Sequence, residues 1–103
     1  MTDVERLTER LVARLVRLGA ERQLAELEHL KQVAEGYGTD FQKNEIGTGL
    51  LAMEALLVAR INTAQPHHRR PKSLTRDQLR VACRSIILAL KETGHLHNGS
   101  ILQ

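Results

Sequence analysis

The stretch 46–59, IGTGLLAMEALLVA, decides how this chain folds. Ile46, Leu50, Met53, Leu57 and Ile61 recur at three- and four-residue spacing, which places them on one face of a helix. Leu51 and Val58, with the small residues Gly47, Ala55 and Ala59, fill another face. Only Thr48 and Glu54 are polar across these fourteen residues. A helix that is apolar nearly all round is normally covered on every side. In a chain of 103 residues two other helices cannot easily cover it, whereas a second copy of the chain can. The pattern predicts a helix over 41–64, central in the molecule, with Ile46, Leu50, Met53, Leu57 and Ile61 as a homodimer interface.

Upstream, Val4, Leu7, Leu11, Leu15 and Leu18 form an amphipathic stripe that resumes with Leu24, Leu27, Leu30 and Ala34. Thr2 or Asp3 can accept hydrogen bonds from the first unpaired N–H groups. Gly19 interrupts the run, but an interior glycine costs only roughly 1 kcal/mol relative to alanine. With no Pro or Asn to support a turn, one long, kinked helix over 3–35 is expected. The alternative is two shorter helices broken at Gly19-Ala20. Gly36-Tyr37-Gly38 stops this run, and Thr39 and Gln42 have the capping-box spacing for a new start. So short a connection implies an antiparallel helix pair.

Downstream, Pro66 and Pro71 bound a basic linker over 65–74 and favour an extended path. Thr75 and Gln78 again have capping-box spacing. They open a helix over 75–93 with Leu79, Ala82, Cys83, Ile86, Ile87 and Leu90 on its apolar side and Gly94 at its end. The tail, 95–103, is polar, with Ile101 and Leu102 available to dock on a neighbour. The expected fold is therefore all-α: a single domain over 1–103, a bundle of three helices, or four if Gly19 breaks the first. Dimerisation completes it.

Composition narrows the function classes. With one Tyr, one Phe and no Trp, the core must be aliphatic. Only Tyr37 and Phe41 offer faces on which single-stranded bases could stack, which argues against a base-stacking module. Cys83 is the sole cysteine, so no disulfide forms within the chain, which fits a reducing compartment. Residues 1–6 alternate in charge with no apolar core, unlike a signal peptide. The 46–59 stretch is too short to span a bilayer. A cytoplasmic protein with no membrane partner is expected.

Net charge is +3, but it is unevenly spread. Over 65–92, Arg69, Arg70, Lys72, Arg76, Arg80, Arg84 and Lys91 face only Asp77 and Glu92, a local +5; over 20–40 the balance is −3. Arg76, Arg80 and Arg84 recur every four residues, so they line one stripe of a helix. With the linker they form a footprint for an acidic protein surface or for phosphate. A second stripe, Arg6, Arg10, Arg14 and Arg17, is diluted by Glu5 and Glu9 and reads as a solvated face. A helix-turn-helix needs a short turn before its recognition helix, and the Pro-bounded linker does not provide one.

Chemistry at a catalytic or metal centre finds little support. His67, His68, His95 and His97 lack helical ligand spacing, His29 stands alone, and Cys83 lies on an apolar side, so no metal site is assigned. Glu54 is the best acid–base candidate, yet a carboxylate in an apolar helix must be paired, protonated or at an edge, with Arg60 or an arginine of another helix the expected partner. No nucleophile–base constellation, phosphate loop or cofactor fingerprint is present, and neither cofactor nor small-molecule substrate is inferred. The expected function is a non-enzymatic interaction protein, a regulator, adaptor or inhibitor. It docks on an acidic protein through Arg69, Arg70, Lys72, Arg76, Arg80 and Arg84. Nucleic-acid binding through the same residues is the alternative.

Overall fold

The computed structural model describes residues 1–96; the expectations for His97, Ile101 and Leu102 lie outside the described residues. Among these residues there are four α-helices and no strand: α1 (Asp3–Leu15), α2 (Ala20–Gly36), α3 (Gly47–Ala64) and α4 (Arg76–Glu92). A single 3-10 turn, Gln65–His67, follows α3. The all-α expectation holds. The long first helix does not, because the chain breaks before Gly19.

Two bonds show how sharply it breaks. Arg14 Nη2 donates to Glu26 Oε2 over 3.0 Å, although residues twelve apart in one straight helix lie roughly 18 Å apart. Gln23 Nε2 likewise reaches back to Leu15 O at 3.1 Å. Gly19 takes an extended ψ of 171° as the N-cap of α2 and offers no side-chain cap. The two halves of the stripe then serve different neighbours: α1 packs on α4, while α2 packs on α3 and α4. A continuous helix could not send its two halves in those directions.

Helix ends follow local chemistry where side chains can supply it. Thr2 and Glu5 form a capping box on α1, and Thr75 and Gln78 form another on α4. Gly38 at φ +113° and Gly94 at φ +76° close α2 and α4 in conformations that suit glycine. The expected start near Phe41 is corrected. Asp40 Oδ1 accepts from the N–H groups of Gln42 and Lys43, and Asn44 Oδ1 accepts from that of Ile46. These bonds fold 40–46 into turns that bury Phe41, so Thr39 and Gln42 form no capping box. The helix begins only at Gly47, where a Cβ would collide with the backbone of Phe41.

The central helix is α4, not the more apolar α3. Leu79, Ala82, Cys83, Ile86, Ile87 and Leu90, the apolar side expected for this helix, are completely buried, and Ser85 and Ala89 are buried beside them. It packs on α1, α2 and α3. Two small residues let α3 close on it: a Cβ at Gly49 would lie 2.7 Å from Val81 Cγ1, and Ser85 Oγ accepts from the unpaired Leu50 N–H at 3.1 Å. Gly47 and Gly49 thus serve contacts within the chain.

Gln23 is fully buried and joins three segments. Its Oε1 accepts from Leu74 N at 2.7 Å, while its Nε2 serves Leu15 O and, at 3.5 Å, Leu74 O. The end of α1, the start of α2 and the residues leading into α4 meet on one amide. Gln23→Leu keeps approximate volume but leaves the Leu74 N–H and the Leu15 carbonyl without this partner. It should lower unfolding free energy by about 1–3 kcal/mol, measured by urea denaturation. An unchanged midpoint would show that water replaces the amide without cost.

Candidate interaction surfaces

The six cations singled out in the sequence lie on two elements, the linker and α4, and Arg80 among them is already paired. Arg69, Arg70 and Lys72 are exposed on the linker, around the last turn of α3 at Ala59, Thr63 and Ala64. Arg60 shapes that loop by donating to the carbonyls of Lys72 and Ser73, the latter at 3.0 Å. At the top of the loop His68 sits at φ 53° in the left-handed region. Arg76 and Arg84 follow on α4 and are exposed.

Arg80 is occupied. Its Nε and Nη2 hold the two oxygens of Glu9 at 2.7 and 3.0 Å, and its Nη1 holds Asp77. These carboxylates raise its pKa further above the usual guanidinium range, and its hydrogen bond pulls Glu9 below the ordinary carboxylate value. This bidentate pair clasps α1 to α4. The charge of Arg76 also acts on Glu9. By contrast, Arg84 and Lys91 enter no ion pair among the described residues.

Arg80 faces α1 and Ser85 faces α3, five residues and roughly 140° apart around α4. Arg84 and Leu88 fall in the arc between them, where α4 remains open to solvent. An open groove of about 670 Å³ runs there between α1 and α4, lined by Val4, Thr8, Arg84, Leu88 and Lys91, with Met1 at its rim. Val81, on the same open side, is 47% exposed. Charge spacing alone marked the arginines of this surface. The apolar part was not visible, because Val4 and Leu88 come from different helices and nothing in the sequence pairs them.

The homodimer residues fall largely inside the chain. Leu50 and Leu57 are completely buried in the chain's own core, and Ile46, Met53 and Ile61 are half-buried against it. Leu50 and Leu57 are therefore taken up by the chain's own core and leave no surface for a partner. The outward face instead presents Thr48, Ala52, Ala55, Val58, Ala59 and Asn62, all exposed and none charged. Arg60 and Glu54, the charged residues of α3, are drawn off to the linker and to the interior.

Glu54 pairs with Lys31 Nζ at 3.1 Å, not with an arginine. Burial pushes its carboxyl above the ordinary range in spite of Lys31, and Glu28 and Glu35 add to the rise. It is a structural pair between α2 and α3. The buried Cys83 thiol is pushed up to about 12 by desolvation, which leaves it protonated and unreactive. His29, His67, His68 and His95 are exposed, and no three His, Cys, Asp or Glu side chains cluster in ligating geometry among the described residues. His95 stacks on Tyr37 with ring centroids 3.7 Å apart, tying the end of α2 to the residues after α4. No helix among the described residues is long and apolar enough to cross a membrane.

Comparison with known proteins finds no matching family model, no similar curated protein and no similar solved structure.

The raised pKa of Glu54 sets a pH dependence. A carboxyl held above its unfolded value favours folding in its neutral form. That contribution is complete below about 4.5 and is lost as pH rises through the folded value. Glu54→Gln should therefore melt above wild type at pH about 8, with the gap closing as pH falls toward about 4.5. A variant that melts lower at every pH would make the Lys31 pair net stabilising.

Proposed function

We propose that this chain is a non-enzymatic helical interaction protein that docks on an acidic protein surface and self-associates as a homodimer. The observation that carries the docking assignment is the state of the α4 cations. Arg80 is neutralised within the fold, while Arg84 and Lys91 stand on the same helix without a carboxylate partner among the described residues. Those two flank Leu88, and Val81 lies exposed beside them, so the surface offers charge together with apolar area. Protein interfaces draw affinity from buried apolar anchors and use charge for steering and register. Arg76 and the linker cations Arg69, Arg70 and Lys72 extend the positive field. A single, buried, unreactive thiol is in keeping with a cytoplasmic setting.

Nucleic-acid binding by the same cations is the competing assignment, and salt separates the two. Phosphate contacts release counterions, so affinity falls log-linearly with salt. Random duplex and single-stranded oligonucleotides are expected to show no saturable anisotropy change between about 50 and 200 mM salt. Binding that weakens steeply over that range, and vanishes in Arg69→Ala/Arg70→Ala/Lys72→Ala/Arg76→Ala/Arg84→Ala, would overturn the protein-partner assignment.

The dimer is supported by the outward face of α3, which is uncharged over the length of the helix. Surface helices of soluble proteins ordinarily carry charge there. Thr48, Ala52, Ala55, Ala59 and Asn62 alternate spacings of four and three, the seam along which two helices supercoil. Light scattering at micromolar concentration should return the dimer mass, and Ala55→Glu/Ala59→Glu should return the monomer mass with helicity unchanged. A monomeric wild type would sink the dimer.

A further inference from the structure

We propose that the groove between α1 and α4 receives one amphipathic acidic helix of a partner protein, with two carboxylates two turns apart and an apolar residue between them. The proposal rests on the acidic-partner assignment above and specifies its site and its ligand. Arg84, Leu88 and Lys91 lie at i, i+4 and i+7 on α4, so the two cations are separated by about 10 Å along the helix with an apolar side chain between. All three line the groove, and Val4 of α1 faces them across it.

Charge in this groove is net positive, because with Glu9 paired to Arg80 only Glu5 stands against Arg84 and Lys91. Glu9 is held by Arg80 through two bonds, and Glu5 is engaged by the Thr2 backbone and hydroxyl in the capping box of α1. The Thr8 hydroxyl donates to Val4 O at 2.6 Å, which spends its donor inside the helix. What remains for a ligand is two cations beside the capping carboxylate of Glu5, and the apolar surface of half-buried Leu88 and the 91% exposed Met1, whose flexible thioether side chain adapts to varied shapes, over a floor formed by the buried Val4. A helix lying along α4 mirrors this order with acid, apolar residue and acid on one face, the helix-in-groove mode of recognition.

A second copy of this chain fits less well. Its α2 offers Glu21, Glu28 and Glu35 at intervals of seven, but Leu24, between the first two, is half-buried against the chain's own core beside the single methyl of Ala25, and the exposed residues between the last two are His29 and Gln32, so little apolar surface is left to meet Leu88. Phosphate offers the charge without the apolar part.

The test is fluorescence anisotropy with a labelled helical peptide on an Ala/Gln background, carrying Glu at i and i+7 and Leu at i+3 and i+4. A permuted peptide of the same composition places the glutamates on the opposite face. Saturable binding with one peptide per chain is expected, at least about tenfold tighter than for the permuted peptide. Arg84→Ala/Lys91→Ala, two exposed sites that leave the core untouched, should weaken it by at least about tenfold. Leu88→Ala should weaken it without changing the salt dependence, with circular dichroism confirming the fold. Equal binding of the permuted peptide overturns the proposal, since charge alone then suffices. A dimer mass for wild type that falls to the monomer mass in Arg84→Ala/Lys91→Ala would assign the groove to a second copy and overturn it too. Loss of binding only in Arg69→Ala/Arg70→Ala/Lys72→Ala would move the site to the linker, rejecting the groove while leaving the acidic-partner assignment in place.

Discussion

The amide of Gln23 is the joint on which this fold turns. It accepts from the N–H of Leu74 and donates to the carbonyl of Leu15, from a position with no solvent access. A buried backbone group without a partner costs more than an ordinary hydrogen bond contributes, so the three segments that meet there are held by the penalty for leaving. The corner between α1 and α2 is tied by it, because Leu15 O at the end of α1 accepts from Gln23 Nε2 as well as from Leu18 N–H. The approach of 72–75 to the bundle depends on it as well. That approach fixes where α4 starts and which of its faces meets each neighbour.

Given that start, the position of α4 is decided by fit. Gly49 and Ser85 remove side-chain bulk and supply one acceptor, so α3 can lie close against it. Glu9 and Arg80 clasp α1 on the other flank. The consequence for α3 is exposure. Its inward face, Leu50 and Leu57, is covered by the chain, and its outward alanines are left at the surface. The most apolar helix therefore lies at the edge of the bundle, and a helix with four cations runs through its middle. Arg84 and Lys91 occupy the arc of α4 that its neighbours leave open, and Arg80 is matched by Glu9 of α1.

Electrostatics sorts the surface in the same way. Several charged groups are already matched within the chain: Lys31 with Glu54, Arg80 with Glu9 and Asp77, Arg6 with Asp3, Arg14 with Glu26. Exposed pairs of this sort contribute little to stability but remove charges from recognition. Among the described cations that enter no ion pair, Arg69, Arg70 and Lys72 lie on the linker and Arg84 and Lys91 on the open arc of α4. A positive field with apolar residues set in it suits a protein ligand better than a phosphate backbone, for which the apolar part is of no use.

By itself the sequence determined that the chain is helical and where most helices stop. It also determined which side of α4 is buried, because these follow from residue spacing and from caps that act over three or four residues. Thr2 with Glu5, Thr75 with Gln78, and the glycines at 38 and 94 needed no tertiary context. The break before Gly19 was legible only as an alternative, since a glycine permits a bend without requiring one. Only the tertiary structure decided that α1 and α2 separate, that α4 takes the centre from α3, and that Lys31 and not an arginine pairs with Glu54. It also decided that Arg80 is paired while Arg84 and Lys91 enter no ion pair among the described residues, and that Leu50 and Leu57 face inward. Periodicity reports which residues share a face of one helix. It carries no information about which neighbour that face meets, because that depends on contacts between residues far apart in the chain.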